Sequence, residues 1–127
     1  MIRLDLNDPR PLEDQIALGL RQAIAQGAVA PGEDLPSVRQ LAGDLGVHWN
    51  TVARAYRKLA DDGLLTVRRG RGAVARAQPR THARLSRAAL RVQFCDAVAA
   101  GVLGGLSHKD IAEAFKEALA SFGDRTR

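Results

Sequence analysis

Apolar residues recur along most of this chain at spacings of three and four. Leu12, Ile16, Leu20 and Ile24 stand four apart, with Ala17 and Ala23 beside them, the one-sided stripe of an amphipathic helix. Asp8, ahead of Pro9 and Pro11, marks its approach. Gly27 offers the left-handed stop on which helices often end. Val38, Leu41, Ala42 and Leu45 predict a second, shorter helix up to Gly46. Ser37 can cap it through its hydroxyl, with Gln40, three residues on, as its capping-box partner. Val52, Ala55, Tyr56 and Leu59 predict a third helix over roughly 49–62, stopped by Gly63. Tyr56 is expected in the core with its hydroxyl at the surface.

Two stretches break that rhythm. Ile2, Leu4 and Leu6 alternate with Arg3 and Asp5, a period of two that predicts a short strand paired with a later hairpin. The hairpin itself is expected at Leu64–Arg68 and Ala73–Arg76, joined by Arg69-Gly70-Arg71-Gly72, where glycine supplies the positive φ a tight turn needs. Gln78-Pro79-Arg80 then reads as a boundary. Beyond it, from about Arg84 to Leu103, a helix carries Leu85, Ala89, Val92, Ala99 and Leu103, widened by Leu90, Phe94 and Val98. Gly104-Gly105 ends it. Ser107, with Asp110 three residues on, opens a last helix whose face is Ile111, Ala114, Phe115, Ala118, Leu119 and Phe122. Stripes of this kind must be covered by each other, by the front of the chain or by a second copy. A second copy is the expectation, with Leu85, Ala89, Val92, Phe94, Val98, Leu103, Ile111, Phe115, Leu119 and Phe122 as the dimerisation residues.

These elements amount to a mainly α fold with a small β-hairpin wing. A winged helix-turn-helix over residues 1–78 precedes a two-helix C-terminal dimerisation segment over 79–127. Composition agrees. The chain has 127 residues, 46% hydrophobic but only 4% aromatic, so its core must be built from Ala, Leu, Val and Ile. The net charge of +5 is unevenly spread. Residues 1–34 carry −3, residues 35–80 carry +6 and residues 81–127 carry +2. The positive excess coincides with the helix-turn-helix and hairpin, where a polyanion would be met.

Other chemistries find little support. Cys95, the single cysteine, can form no internal disulfide and is expected to be buried packing. His48, His82 and His108 lie in different elements without the spacing of a metal site. No glycine-rich loop joins a strand to a helix as a phosphate cradle must. Neither an enzyme nor a cofactor or metal is expected. The first residues lack the apolar core of a signal peptide, and no apolar run reaches the ~20 residues of a membrane span. The expected location is cytoplasmic.

The third helix is the candidate reader of DNA, because an α-helix fits the major groove and its first residues reach base edges. Those residues are His48, Trp49, Asn50 and Thr51, with Arg54 one turn on and Arg57 and Lys58 beyond. Asn50 suits adenine. Arg54 suits guanine or a phosphate, and Thr51 a phosphate or a thymine methyl. Trp49 either lies on a sugar or thymine methyl or tucks against the wing. Ser37 is either a phosphate contact at a helix N-terminus or a plain cap. Arg68, Arg69, Gly70 and Arg71 make a cationic tip suited to the minor groove or its flanking phosphates.

The run PLEDQIALGLRQAIAQGAVAPGEDLPSVRQLAGDLGV, followed by NTVARAYRKLADDGLL and RRGRGAV, resembles the N-terminal DNA-binding domain of GntR-family bacterial transcription regulators over residues 11–74. The short helical tail resembles that of the YtrA subfamily, in which it serves dimerisation. The resemblance implies a homodimeric regulator, more often a repressor, bound to an inverted-repeat operator. It also implies that Arg39 contacts the DNA backbone or a guanine at the groove edge. It assigns no small-molecule effector. His48-Trp49 stands where many YtrA-like members have Asn-Pro, and Ala53 where other branches have arginine; operator preference is expected to be set there. The competing class is a winged-helix module that binds protein or RNA without operator specificity, which would lack the steep salt dependence of DNA binding.

Overall fold

The computed structural model describes residues 2–68, 72–76 and 85–123. Among them the order is α1 (Leu12–Gln26), α2 (Val38–Leu45), α3 (Trp49–Asp61), β1 (Leu65–Arg68), β2 (Gly72–Ala75), α4 (Arg87–Leu103) and α5 (His108–Ala120). The fold is mainly α with a small two-stranded wing. The chain divides into two compact units, Met1–His82 and Ala83–Arg127.

In the first unit the four-residue spacing of α1 brings Ile16, Leu20, Ala23 and Ile24 inward, and all are buried. They meet Leu41 and Ala42 of α2 and Val52, Ala55, Tyr56 and Leu59 of α3 in one cluster. Val38 and Leu45 pack on its margin. Burying a side chain of this size stabilises by roughly 1.5–3 kcal/mol, so a cluster of this extent can hold the unit without help from the tail. Gly27 ends α1 in the left-handed region at φ 81°. Ser37 Oγ accepts from the Gln40 N–H and starts α2; the reciprocal bond that completes a capping box forms at Ser107–Asp110 instead.

The wing pairs β1 and β2 antiparallel, with Leu65 opposite Ala75 and Arg68 opposite Gly72. Leu65, Ala73, Val74 and Ala75 turn inward. The other edge of β2 is taken by residues 32–35: the Gly32 and Leu35 N–H groups donate to the Ala75 and Ala73 carbonyls, and the Ala75 N–H donates to the Glu33 carbonyl. This corrects the expected pairing of the N-terminal segment with the hairpin. Residues 2–6 form no strand. Ile2 and Leu4 still pack on the core, while Leu6 is 86% exposed. Buried Gln15 supplies what a strand partner would: its Oε1 accepts from the Asp5 N–H, and its Nε2 donates to the Asp5 and Arg10 carbonyls. Asp8 does not cap α1, whose N-cap is Pro11; its carboxylate instead accepts from the Arg10 backbone and guanidinium.

Two further expectations change. The Tyr56 hydroxyl does not reach the surface. It donates to the Pro36 carbonyl at 2.7 Å, inside the fold, directly before the cap of α2. Next to that carbonyl, Gly72 (φ 78°) lies so close that an added Cβ would stand 3.2 Å from Ser37 Cα. The root of the wing therefore rests on the start of α2.

The second unit is a helix pair. α4 begins at Arg87, capped by the Ser86 hydroxyl, so Leu85 precedes the helix rather than joining its stripe. Serine two residues later is the better cap, since its oxygen accepts from the Ala89 N–H. Phe94 and Phe115 meet edge to face with centroids 5.5 Å apart. At Gly101 an added Cβ would stand 3.0 Å from the Ile111 side chain, so glycine allows the two helices their close approach. Even so, no residue of α4 or α5 is buried. Apolar side chains surround α4 on all sides rather than forming one stripe. Leu90, Phe94, Val98 and Gly101 occupy one face, while Val92, Ala99 and Leu103 occupy the opposite one, with Leu103 87% exposed. Cys95, expected in a core, is exposed.

Candidate nucleic-acid interface

At 100° per residue, the buried side of α3 fixes what the opposite side carries. With Val52, Ala55, Tyr56 and Leu59 turned in, Asn50, Arg54 and Arg57 fall along the outward line at spacings of four and three. Arg54 and Arg57 are exposed and Asn50 is half-buried. Thr51 and Lys58 flank that line on one side, Ala53 and Trp49 on the other.

The first turn is held in an unforeseen way. His48 is the N-cap residue, and its ring Nδ1 accepts from the Asn50 N–H at 3.1 Å. That places an imidazole nitrogen, rather than the usual hydroxyl or carboxamide, on a free helix donor. The ring stacks on Trp49, centroids 5.5 Å apart and planes 29° apart. Trp49 remains 50% exposed, so its ring is neither core nor hidden. These two aromatic rings and Asn50 together form the leading end of the helix.

The other expected contacts belong to α2 and the wing. Ser37 and Arg39 are exposed at the start of α2, and Arg68 is exposed at the end of β1. Arg39, Arg57 and Arg68 have no ion-pair partner among the described residues. Arg69, Gly70 and Arg71, the expected wing tip, lie outside the described residues, as do Gln78-Pro79-Arg80 and His82. Among the described residues no group of three or more His, Cys, Asp or Glu could hold a metal. No helix among them is long and apolar enough to cross a membrane.

Lys58 differs from its neighbours. Its Nζ is 2.6 Å from Glu13 Oε2 and 2.5 Å from Asp14 Oδ1, both in the first turn of α1. Hydrogen bonds that it donates to Asp14 and then Glu13 hold its pKa above the ordinary lysine value. Glu13 Oε1 also lies 4.0 Å from Arg54 Nε. One turn further along, Arg21 of α1 pairs with Asp62 at the end of α3. The two helices are thus tied by opposite charge along their length, and part of the positive charge on α3 is already answered. The sequence reading missed Glu13, Asp14 and the capping role of His48. An acidic pair in the first turn of a helix beside a basic one was the available signal for the first two.

A helix-turn-helix with a hairpin wing and a basic, solvent-facing third helix is the class of domain that the fold and this surface define. Residues 12–74 match the model of "Bacterial regulatory proteins, gntR family". The YtrA transcriptional repressor of Bacillus subtilis is 38% identical over 72 residues, which is 57% of this chain and 55% of that protein. A solved structure of YtrA from Sulfolobus acidocaldarius, a GntR-family transcription factor, is 38% identical, covers 77% of this chain and 97% of its own, and superposes with a TM-score of 0.59. A structure described as a transcriptional antiterminator from Listeria monocytogenes covers 100% of this chain and 97% of its own with a TM-score of 0.74; at 23% identity it speaks to the fold alone. The chain belongs to the GntR family of bacterial regulators and is YtrA-like within it. The part matched, residues 12–74, is the domain described for these regulatory proteins. The chain spans about half the length of the curated relatives it matches.

Proposed function

We propose that this chain is a sequence-specific DNA-binding regulator of transcription, acting as a repressor and binding an inverted-repeat operator as a homodimer. The observation that carries the reading is the outward line Asn50–Arg54–Arg57 on α3, polar and cationic on a helix whose other side closes the core. In the major groove, Asn50 pairs with adenine and Arg54 with guanine, each discriminating by roughly 1–3 kcal/mol. His48, Trp49 and Thr51 lie along the groove wall. Ser37 and Arg39 meet the backbone at one edge, and Arg68, Arg69, Gly70 and Arg71 meet the minor groove or its phosphates at the other. Arg57 contributes positive charge with no ion-pair partner among the described residues, whereas Lys58 contributes little because Glu13 and Asp14 already hold it.

The tail serves dimerisation in this reading. A helix apolar on all sides requires cover on all sides, and α5 occupies only one face of α4. The repression suggested by the name of the Bacillus relative then acts by occlusion: two readers on one operator exclude the transcription machinery. Binding of the whole chain to duplex DNA, measured across a salt series, tests the first part. Log affinity should fall linearly with log salt, since each neutralised phosphate releases counterions. An affinity indifferent to salt would mean a protein-binding module instead. Deletion of residues 81–127 should leave a monomer in sedimentation; an unchanged dimer would remove the tail from the interface.

A further inference from the structure

The acidic first turn of α1 stands beside the recognition surface, and the reading above gives it no role beyond neutralising Lys58. Glu13 is the better covered of its two acids, with 21% of its side chain exposed against 43% for Asp14. Both grip Lys58, but only Glu13 reaches further. Its Oε2 takes Lys58 at 2.6 Å, while its Oε1 faces Arg54 Nε at 4.0 Å. The atom of Arg54 turned to Glu13 is thus Nε. The two terminal nitrogens, which form the fork that recognises guanine O6 and N7, are left for the groove.

We propose that Glu13 is a positioning residue for base recognition, holding the Arg54 guanidinium by its Nε side while Lys58 anchors the carboxylate. This rests on the reading that Arg54 enters the major groove. A free arginine samples many rotamers and loses that freedom on binding, so a side chain drawn toward one carboxylate, though 64% exposed, binds with less loss. The confinement favours only the base that Arg54 reads, because phosphate contacts tolerate many geometries whereas a bidentate base contact tolerates few. The bare charge of Glu13 acts the opposite way. A carboxylate near DNA repels every phosphate alike, so its removal by itself should strengthen binding to all sequences.

That opposition supplies the test. The whole wild-type chain is used to select its preferred duplex from random DNA, and each base pair of that duplex is then varied in turn in anisotropy titrations. Arg54→Ala should erase the preference, about tenfold or more, at one position. Glu13→Gln should lower the preference at that same position by about three- to tenfold and leave the others. Asp14→Asn removes the same charge from the same turn without touching Arg54; it should shift all duplexes by one common factor. Glu13→Asp keeps the charge and loses reach, and should lose the preference with the salt slope unchanged. These last two variants stand in if Glu13→Gln fails to give a folded chain by circular dichroism. If Glu13→Gln behaves like Asp14→Asn, or Glu13→Asp like wild type, the positioning role falls while the groove assignment stands. If Arg54→Ala erases no preference, the groove assignment falls and takes the positioning role with it.

Discussion

Leu59 and Leu119 sit near the ends of α3 and α5, two helices of thirteen residues each. Leu59 is wholly buried and Leu119 is 60% exposed. The same side chain, on the same kind of element, is finished in one unit and unfinished in the other. In the first unit three helices and a hairpin enclose one cluster, and the described polar atoms that are buried all find partners. In the second, two helices touch along Phe94–Phe115 and Gly101–Ile111 and leave the rest of their apolar surface open. Exposed apolar area of this extent marks an interaction surface. The first unit closes its own core, and the second leaves its apolar faces uncovered.

The largest effect separates the two leucines directly. Leu59→Ala should cost about 2–5 kcal/mol of stability in urea denaturation. Leu119→Ala should leave the unfolding of the first unit within about 0.5 kcal/mol of wild type, while raising the dimer dissociation constant seen by sedimentation. Equal losses of stability would erase the distinction between the units. Next in size, Arg54→Ala should weaken binding to the preferred duplex by about 1–3 kcal/mol. Lys58→Ala, whose charge is already paired and exposed to solvent, should weaken it less than Arg54→Ala does.

Tyr56→Phe probes how far the first unit satisfies its own polar groups. Losing the bond to Pro36 should cost about 1–2 kcal/mol. Burial also pushes the Tyr56 phenol up to about 12. Between its ordinary value near 10 and about 12, the folded chain keeps a proton that the unfolded chain has lost. Stability contributed by this group is therefore full below pH 10 and falls as pH rises through that window. Thermal melts of Tyr56→Phe should lack this component. The most local effect belongs to the tail: Ser107→Ala should lower helicity locally and cost about 1 kcal/mol, read by hydrogen exchange at the Asp110 amide.

What the sequence made legible was local. The spacing of Val52, Ala55, Tyr56 and Leu59 matches their burial because helical periodicity needs only the helix itself. Gly27 and Ser37 act where they were expected, since caps are decided within a few residues. The Ile2–Leu6 segment went astray because strand pairing is a competition between distant segments, and residues 32–35 hold the hairpin edge. Lys58 looked like a free cation because its acids are 44 residues away. The capping role of His48 was not readable because a histidine cap depends on ring orientation, which composition does not encode. Leu85 was drawn into the stripe by its spacing alone, although Ser86 begins the helix after it. Of the proposed interface, α3 was thus readable as a surface, while the acids beside it required the fold.

The pairing of residues 32–35 with β2 has a consequence for how the molecule keeps to itself. A two-stranded hairpin normally offers two rows of unpaired amides to any passing chain. Here β2 has neighbours on both sides, so the only bare strand edge among the described residues is that of β1. That edge is four residues long and ends in Arg68. Short length and terminal charge make a poor template for further strands. The sheet therefore offers other chains little to pair with, and the exposed apolar faces of α4 and α5 remain the larger surface open to association.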